Sequence, residues 1–174
     1  LLQALDQYPN LQNEDFTVCN SDNLYSIKVL EALLNCKDHN AFINYDRDGL
    51  LFTMEKIERF ALTLVNKNSH LEAIIEKPSK DKVNDYKDAK GKFIVSMNIF
   101  KFTGKEIYPF LKNCPINSIR NEKELPTAIL NMINETGFYM KGIPFKEHVP
   151  DLTSKEDIEI MKLYLKKNYS KYFS

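Results

Sequence analysis

The sequence predicts an α/β sandwich of three layers around a mixed, mostly parallel sheet. Three observations carry that expectation. Short β-prone runs alternate with stretches of helical spacing along the chain. Two of the runs, Phe60 to Val65 and His70 to Ile75, are joined by Asn66-Lys67-Asn68-Ser69, a hairpin loop that makes the sheet mixed. The run Phe16-Thr17-Val18-Cys19 stops at four small polar residues, Asn20-Ser21-Asp22-Asn23, before helical spacing begins at Ser26, which reads as buried strand, tight turn and helix.

Taken in order, Leu1 to Tyr8 is a helix stopped by Pro9. Asp15 to Cys19 is the first strand. Ser26 to Asn35 is an amphipathic helix with Ile27, Leu30 and Leu34 on its apolar face. Ala41 to Tyr45 is a second strand closed by Asp46-Arg47-Asp48-Gly49, and Thr53 to Glu58 is a single helical turn. After the hairpin, Glu76-Lys77-Pro78-Ser79 ends the strand sharply. Lys80 to Lys92 has little that is apolar and reads as a solvated loop or loose helix. Phe93 to Phe102 is the longest β-prone segment, interrupted at Asn98. Lys105 to Leu111 is helical and Pro115 to Lys123 irregular. Glu124-Leu125-Pro126 opens a helix through Met132 and Ile133, with proline where a helix start tolerates it. Phe138 to Met140 is a strand. A last helix follows Asp151-Leu152-Thr153, with Thr153 and Glu156 at capping-box spacing and Ile158, Met161 and Leu165 as its apolar face. Lys166, Lys167 and Lys171 crowd the end of that helix, where cations suit its dipole.

A chain of 174 residues suits one domain with a real core. Lys plus Arg and Asp plus Glu are 24 each, so no net basic field draws the chain to nucleic acid or to an anionic membrane. No apolar run approaches a membrane span and no signal peptide is evident. Three scattered cysteines, Cys19, Cys36 and Cys114, suit a reducing, cytoplasmic setting, with Cys19 and Cys36 read as core or near-core residues. The chain opens at Leu1 inside a helical pattern, and a preceding segment is expected.

Several residues are candidates for chemistry, each beside a plainer role. Asp22, at the carboxyl end of a strand, is where an α/β sheet holds ligands and where a carboxylate suits a hard divalent cation; it also suits a turn. In Glu76-Lys77-Pro78 the acid can accept hydroxyl hydrogen bonds and the lysine can meet a phosphate, while the proline biases Lys77 to an extended conformation; the alternative is a strand-end salt pair. Asp46-x-Asp48 resembles the acidic metal motif of nucleotide-sugar glycosyltransferases, with a turn before Gly49 as the alternative. Asp151 precedes a helix, where an acid also suits the dipole. His39, His70 and His148 lack metal-ligand spacing. There is no glycine-rich phosphate loop and no serine or cysteine triad.

In order, five pieces resemble the sugar-1-phosphate nucleotidyltransferases: Val18-Cys19-Asn20-Ser21-Asp22-Asn23, Ile74-Ile75-Glu76-Lys77-Pro78, Val95-Ser96-Met97-Asn98-Ile99-Phe100, Glu124-Leu125-Pro126-Thr127-Ala128-Ile129 and Val149-Pro150-Asp151-Leu152-Thr153. The Glu-Lys-Pro is the most specific. The resemblance implies a Rossmann-like fold and transfer of a nucleotidyl group from a nucleoside triphosphate to a sugar 1-phosphate, with release of pyrophosphate and with Mg²⁺ as cofactor. It implies Asp22 and Asp151 as metal ligands, Glu76 on sugar hydroxyls and Lys77 on the sugar phosphate, with Asn23, Ala61 and Asn98 also against substrate. Asp22, Lys77 and Asp151 are thus the implied catalytic set. The family's glycine-rich N-terminal loop has no counterpart here, Ser21 and Asn98 stand at glycine positions, and Asp151-Leu152-Thr153 lacks the usual tryptophan and glycine. A silent module that binds a sugar nucleotide is the other reading, and a glycosyltransferase using Asp46 and Asp48 a third. Base, sugar and oligomeric state, homo-oligomer included, stay open.

Overall fold

The structure is a computed structural model that describes residues 1–78 and 82–172, so the first two residues of the expected Lys80–Lys92 loop, and Ser79, lie outside it. Helix α1 (Leu2–Gln7) and a 3₁₀ turn (Pro9–Asn13) lead into β1 (Asp15–Cys19). Ser26 caps α2 (Ile27–Asn35) by accepting the Val29 N–H at 3.3 Å. After β2 (Ala41–Asp46) come a 3₁₀ turn (Arg47–Gly49), the single turn α3 (Met54–Ile57), and β3 (Leu62–Val65) paired antiparallel with β4 (Leu71–Ile75) as the hairpin. The long β-prone segment divides into β5 (Ile94–Val95) and β6 (Ile99–Thr103). It leads into α4 (Gly104–Asn113), whose glycine is required because any side chain there would collide with the Leu11 carbonyl. Then follow a small hairpin of β7 (Ile116–Asn117) and β8 (Glu122–Lys123), α5 (Leu125–Glu135), β9 (Lys141–Phe145) and α6 (Asp157–Asn168).

The main sheet has seven strands in the order β1-β6-β2-β5-β3-β4, with β9 on the other edge of β2. Helices α1, α4 and α5 pack on one face with Phe42, Phe100, Phe102 and Met132. On the opposite face, α2 packs through Val29 and Leu33 against Ala41, Ile43, Tyr45 and Ile99. The strand alternation is clean: Phe42 joins one core while Ala41, Ile43 and Tyr45 join the other. Three layers therefore form as expected.

The sheet is not mostly parallel. Among the described residues only β2 with β9 is a parallel pair, and the other pairings are antiparallel. The cause is visible in the order. The β1–α2–β2 crossover does set β1 and β2 in the same direction, but β6 lies between them, antiparallel to both. Alternating strand and helix fixes direction along the chain, not which strand fills the gap.

Other expectations are corrected too. In α2 the buried face is Val29 and Leu33, while Ile27 (61% exposed), Leu30 and Leu34 (78%) point outward. Both the pair and the triplet have helical spacing, so periodicity could not choose between them. Phe138 and Tyr139 are exposed, Tyr139 stacking on His70 and donating to Asp38 at 2.9 Å; the strand begins three residues later at Lys141. Pro144 hid it; its nitrogen falls on the edge away from β2, past the Gly142 N–H that donates to the Ser69 carbonyl at 2.7 Å, so no ladder bond is lost. The expected capping box is absent: Thr153 donates to Asp151 at 2.7 Å, and Asp157 instead accepts from the Ser154 N–H and hydroxyl. Ile158 is exposed and α6 buries no residue fully. Pro115 to Lys123 is not irregular but holds the β7–β8 hairpin. Cys19 is exposed, being on the outer face of an edge strand; Cys36 is half-buried and Cys114 buried, all three as free thiols.

Candidate functional site

The sheet opens where β5 meets β6. Both run antiparallel to β2, with Tyr45 opposite Val95 and Phe42 opposite Phe100, so Ser96, Met97 and Asn98 form an offset between two parts of one ladder. Asn98 adopts φ 53°, a left-handed conformation that asparagine tolerates better than most residues. That explains how it stands at a glycine position. The offset is held in place by the Ser96 N–H, which donates to the Ala61 carbonyl at 3.0 Å.

Over this offset lies a cleft of about 180 Å³. Four of the substrate-side candidates, Ala61, Glu76, Lys77 and Asn98, line it together, though they come from separate segments. Glu76 and Lys77 enter as the chain leaves β4. Lys77 has φ 47°, so it is left-handed rather than extended as expected. A residue before proline avoids the right-handed helical region, and the left-handed one serves here to turn the chain. Among the described residues its ammonium has no ion-pair partner, and it stands between the cleft and a larger cavity of about 690 Å³ bordered by Phe60, Leu62 and Phe93.

Two arginines absent from the sequence reading share the cleft. Arg120 donates to Glu76 at 3.2 Å and pairs with Glu124 at 2.9 Å. It rides on the β7–β8 turn, where the Asn117 side chain accepts the Ile119 and Arg120 N–H groups. Two-residue strands carry no periodicity, so nothing in the sequence marked Arg120. Arg59 also lines the cleft and pairs with Glu55 at 2.5 Å. Beyond Glu76 and Arg120 the cleft continues into a further space of about 270 Å³ that reaches Asn20, Glu124 and Leu125.

The two candidate acids lie on backbone segments that pair. Asn23 and Asp151 form an antiparallel bridge: the Leu24 N–H donates to the Pro150 carbonyl and the Leu152 N–H to the Asp22 carbonyl, both at 2.8 Å. Asn23 Nδ2 lies 3.4 Å from Asp151 Oδ1, and the Tyr25 hydroxyl is 3.3 Å from Asn23 Oδ1. That hydroxyl donates to the Met97 carbonyl at 2.5 Å and lies 3.4 Å from the Asn98 carbonyl. A polar chain thus runs from Asp151 through Asn23 and Tyr25 to the offset under the cleft. Burial pushes the Tyr25 phenol well up, and the charges of Asp22 and Asp151 add to that, so it stays a donor. Tyr25 is a third residue whose role the sequence does not mark.

The acids differ in their availability to a cation. Asp22 is half-buried and, among the described residues, its carboxylate accepts no hydrogen bond. Asp151 is engaged at both oxygens: Oδ1 by Thr153 and Asn23, and Oδ2 by the Lys56 ammonium at 2.7 Å. Lys56 also pairs with Asp157 at 3.1 Å. Burial alone would lower the Lys56 pKa, but the two carboxylates outweigh it and hold the ammonium charged above the ordinary lysine range. Of the two acids, only Asp22 is not already engaged, and Asp151 is not open to a shared cation while Lys56 stands there. No group of three or more His, Cys, Asp or Glu side chains able to hold a metal occurs among the described residues.

Asp46 has other work. Its carboxylate accepts the Asp48 N–H at 3.0 Å, capping the 3₁₀ turn, and pairs with Lys92. Burial would raise its pKa; Lys92, the Asp48 N–H and Lys146 reverse that and lower it. Its pairing accounts for a buried acid at the end of β2.

No protein-family model matches the chain, and no curated protein matches its sequence. Solved structures do match its fold. The chain is similar to a Bacillus anthracis protein assigned as a glucose-1-phosphate thymidylyltransferase and solved with sucrose, at a TM-score of 0.62 and 16% identity. That match covers 94% of this chain but only 60% of the other. At this identity the likeness shows a shared fold and nothing of the chemistry. Among the described residues no helix is long and apolar enough to cross a membrane.

Proposed function

We propose that this chain carries the sugar-phosphate side of a sugar-1-phosphate nucleotidyltransferase. The observation that carries the reading is the meeting of Ala61, Glu76, Lys77 and Asn98 in one cleft, linked by Tyr25 and Asn23 to Asp151. The fold shared with a protein assigned to that chemistry is consistent with it.

Each residue's role follows from its chemistry. Lys77 is a compact cation on a left-handed turn, suited to the phosphate of a sugar 1-phosphate. Glu76, fixed by Arg120, accepts hydrogen bonds from sugar hydroxyls. The backbone at Ala61 and Asn98 forms the wall against the ring. Asn23 and Tyr25 hold the acid-bearing segment in register with that wall. Mg²⁺, when bound, would offset charge on the phosphates, and Asp22 is the carboxylate open to it. A nucleoside triphosphate would be the second substrate, and its base and phosphates are assigned no residues of this chain. The chain is also proposed to be a single domain and to work in the cytoplasm.

The test is pyrophosphate release from the folded protein mixed with Mg²⁺, a panel of nucleoside triphosphates and hexose 1-phosphates. Release with at least one pair is expected. Failure with every pair, together with no binding of any hexose 1-phosphate, would overturn the reading. Binding of a sugar nucleotide without turnover would favour a silent sensing module, a reading that the engagement of Asp151 by Lys56 supports.

A further inference from the structure

Lys56 sits in a position that the proposed chemistry does not use. It projects from α3 into a space of about 230 Å³ closed by Phe52, His148, Tyr164 and the start of α6. Its ammonium lies 2.7 Å from Asp151 Oδ2 and 3.1 Å from Asp157 Oδ1, and 4.9 Å above the Phe52 ring. The Asp151 side chain is 8% exposed and that of Asp157 15%, so both carboxylates are largely out of water. In such surroundings a positive charge in contact is worth far more than at the surface, and an unpaired carboxylate would be costly. Asp157 is itself fixed by the Ser154 N–H and hydroxyl at 2.8 and 2.9 Å. Asp151 thus already has a cation, and that cation is covalently part of the chain.

We propose that the Lys56 ammonium stands in for a metal ion at Asp151, so that Asp151 is withheld from divalent cations while Lys56 stands there. This deepens the function proposed above and rests on it only in supposing that a divalent cation takes part in it. A tethered ammonium needs no ion from solution and fixes α3, the Pro150–Leu152 bridge and the N-terminus of α6 to one point. It also sets a direct competition: a divalent cation gains Asp151 only by displacing Lys56.

Manganese titration of the folded protein, followed by the loss of the free-ion electron paramagnetic resonance signal, tests this without any turnover. The wild-type chain is expected to show no Mn²⁺ binding that depends on Asp151, so Asp151→Asn leaves its titration unchanged. Lys56→Met should tighten binding by about tenfold or more, since a charge repelling the metal is removed and a carboxylate freed. Asp151→Asn in that background should cancel the gain, and Lys56→Arg, which keeps the charge, should behave as wild type. Wild-type binding that is lost in Asp151→Asn would overturn the proposal, as would Lys56→Met with unchanged affinity. If Lys56→Met does not fold, Asp151→Asn alone decides. Hexose 1-phosphate binding in metal-free buffer is read separately, so failure of the sugar reading and failure of the lysine proposal give different results.

Discussion

Lys77 joins two properties that rarely occur together without a purpose. It is a non-glycine residue at φ 47°, and its ammonium is unpaired among the described residues beside a cleft. Left-handed backbone costs an L-residue about 1 kcal/mol, and such strain concentrates at sites that use the geometry. Glycine relieves the strain and removes the cation. Lys77→Gly is therefore expected to raise stability by about 1 kcal/mol, read from the denaturant midpoint, while weakening the protein's hold on sugar phosphate. A loss of stability would show that the turn is not strained as described. Lys77 was legible in the sequence because Glu-Lys-Pro is a contiguous signal. Arg120 and Tyr25 were not, because each matters through partners far away in the chain: Glu76 for one, the Met97 carbonyl for the other.

Elements show the same division between local and distant cause. The first strand was read to the residue, since Asn20 to Asn23 give an abrupt polar stop. The outward face of α2 was not, because packing against β2 decides which of two apolar rows is buried. Replacing Leu33 with alanine is expected to cost about 2–5 kcal/mol, the range for a buried leucine. Replacing Ile27, Leu30 and Leu34 together with glutamine should cost no more than about 0.5 kcal/mol per site. Equal losses, measured by chemical denaturation, would restore the original assignment of the face. The last helix depends on His148, whose ring lies edge-on to Phe52 at 4.7 Å and Tyr164 at 5.6 Å while Nδ1 accepts the Leu51 N–H at 3.1 Å. Burial lowers the His148 pKa, and the Lys56 charge lowers it further. The unfolded chain then binds the proton first as pH falls, so stability is full above about pH 6.5 and declines as pH drops through the folded value. The melting temperature should fall between pH 7.5 and 5.5, and His148→Gln should flatten that dependence. An unchanged slope in the variant would remove His148 as the cause.

Across the whole molecule, the three layers and the order of the elements follow from sequence patterning, while the sheet's antiparallel character does not. The β1–α2–β2 unit reads as a parallel crossover, and the insertion of β6 between its strands, 80–88 residues from its β1 partners and 58–60 from its β2 partners, reverses the neighbours. The site inherits this arrangement. The offset at Ser96 to Asn98 exists because β5 and β6 share one edge of β2, and the cleft sits on that offset. A fold shared with a solved structure at 16% identity therefore fixes the frame, and the side chains that fill it must be tested on this chain. The most direct test is calorimetric titration of a hexose 1-phosphate into the wild-type protein and into Lys77→Gly. Saturable binding to the wild type, weaker by about tenfold or more in the variant, the scale of a lost charge-assisted contact, is the expected result. Equal affinity in both, or no binding to a folded wild type, would contradict the assignment of this cleft to a sugar phosphate.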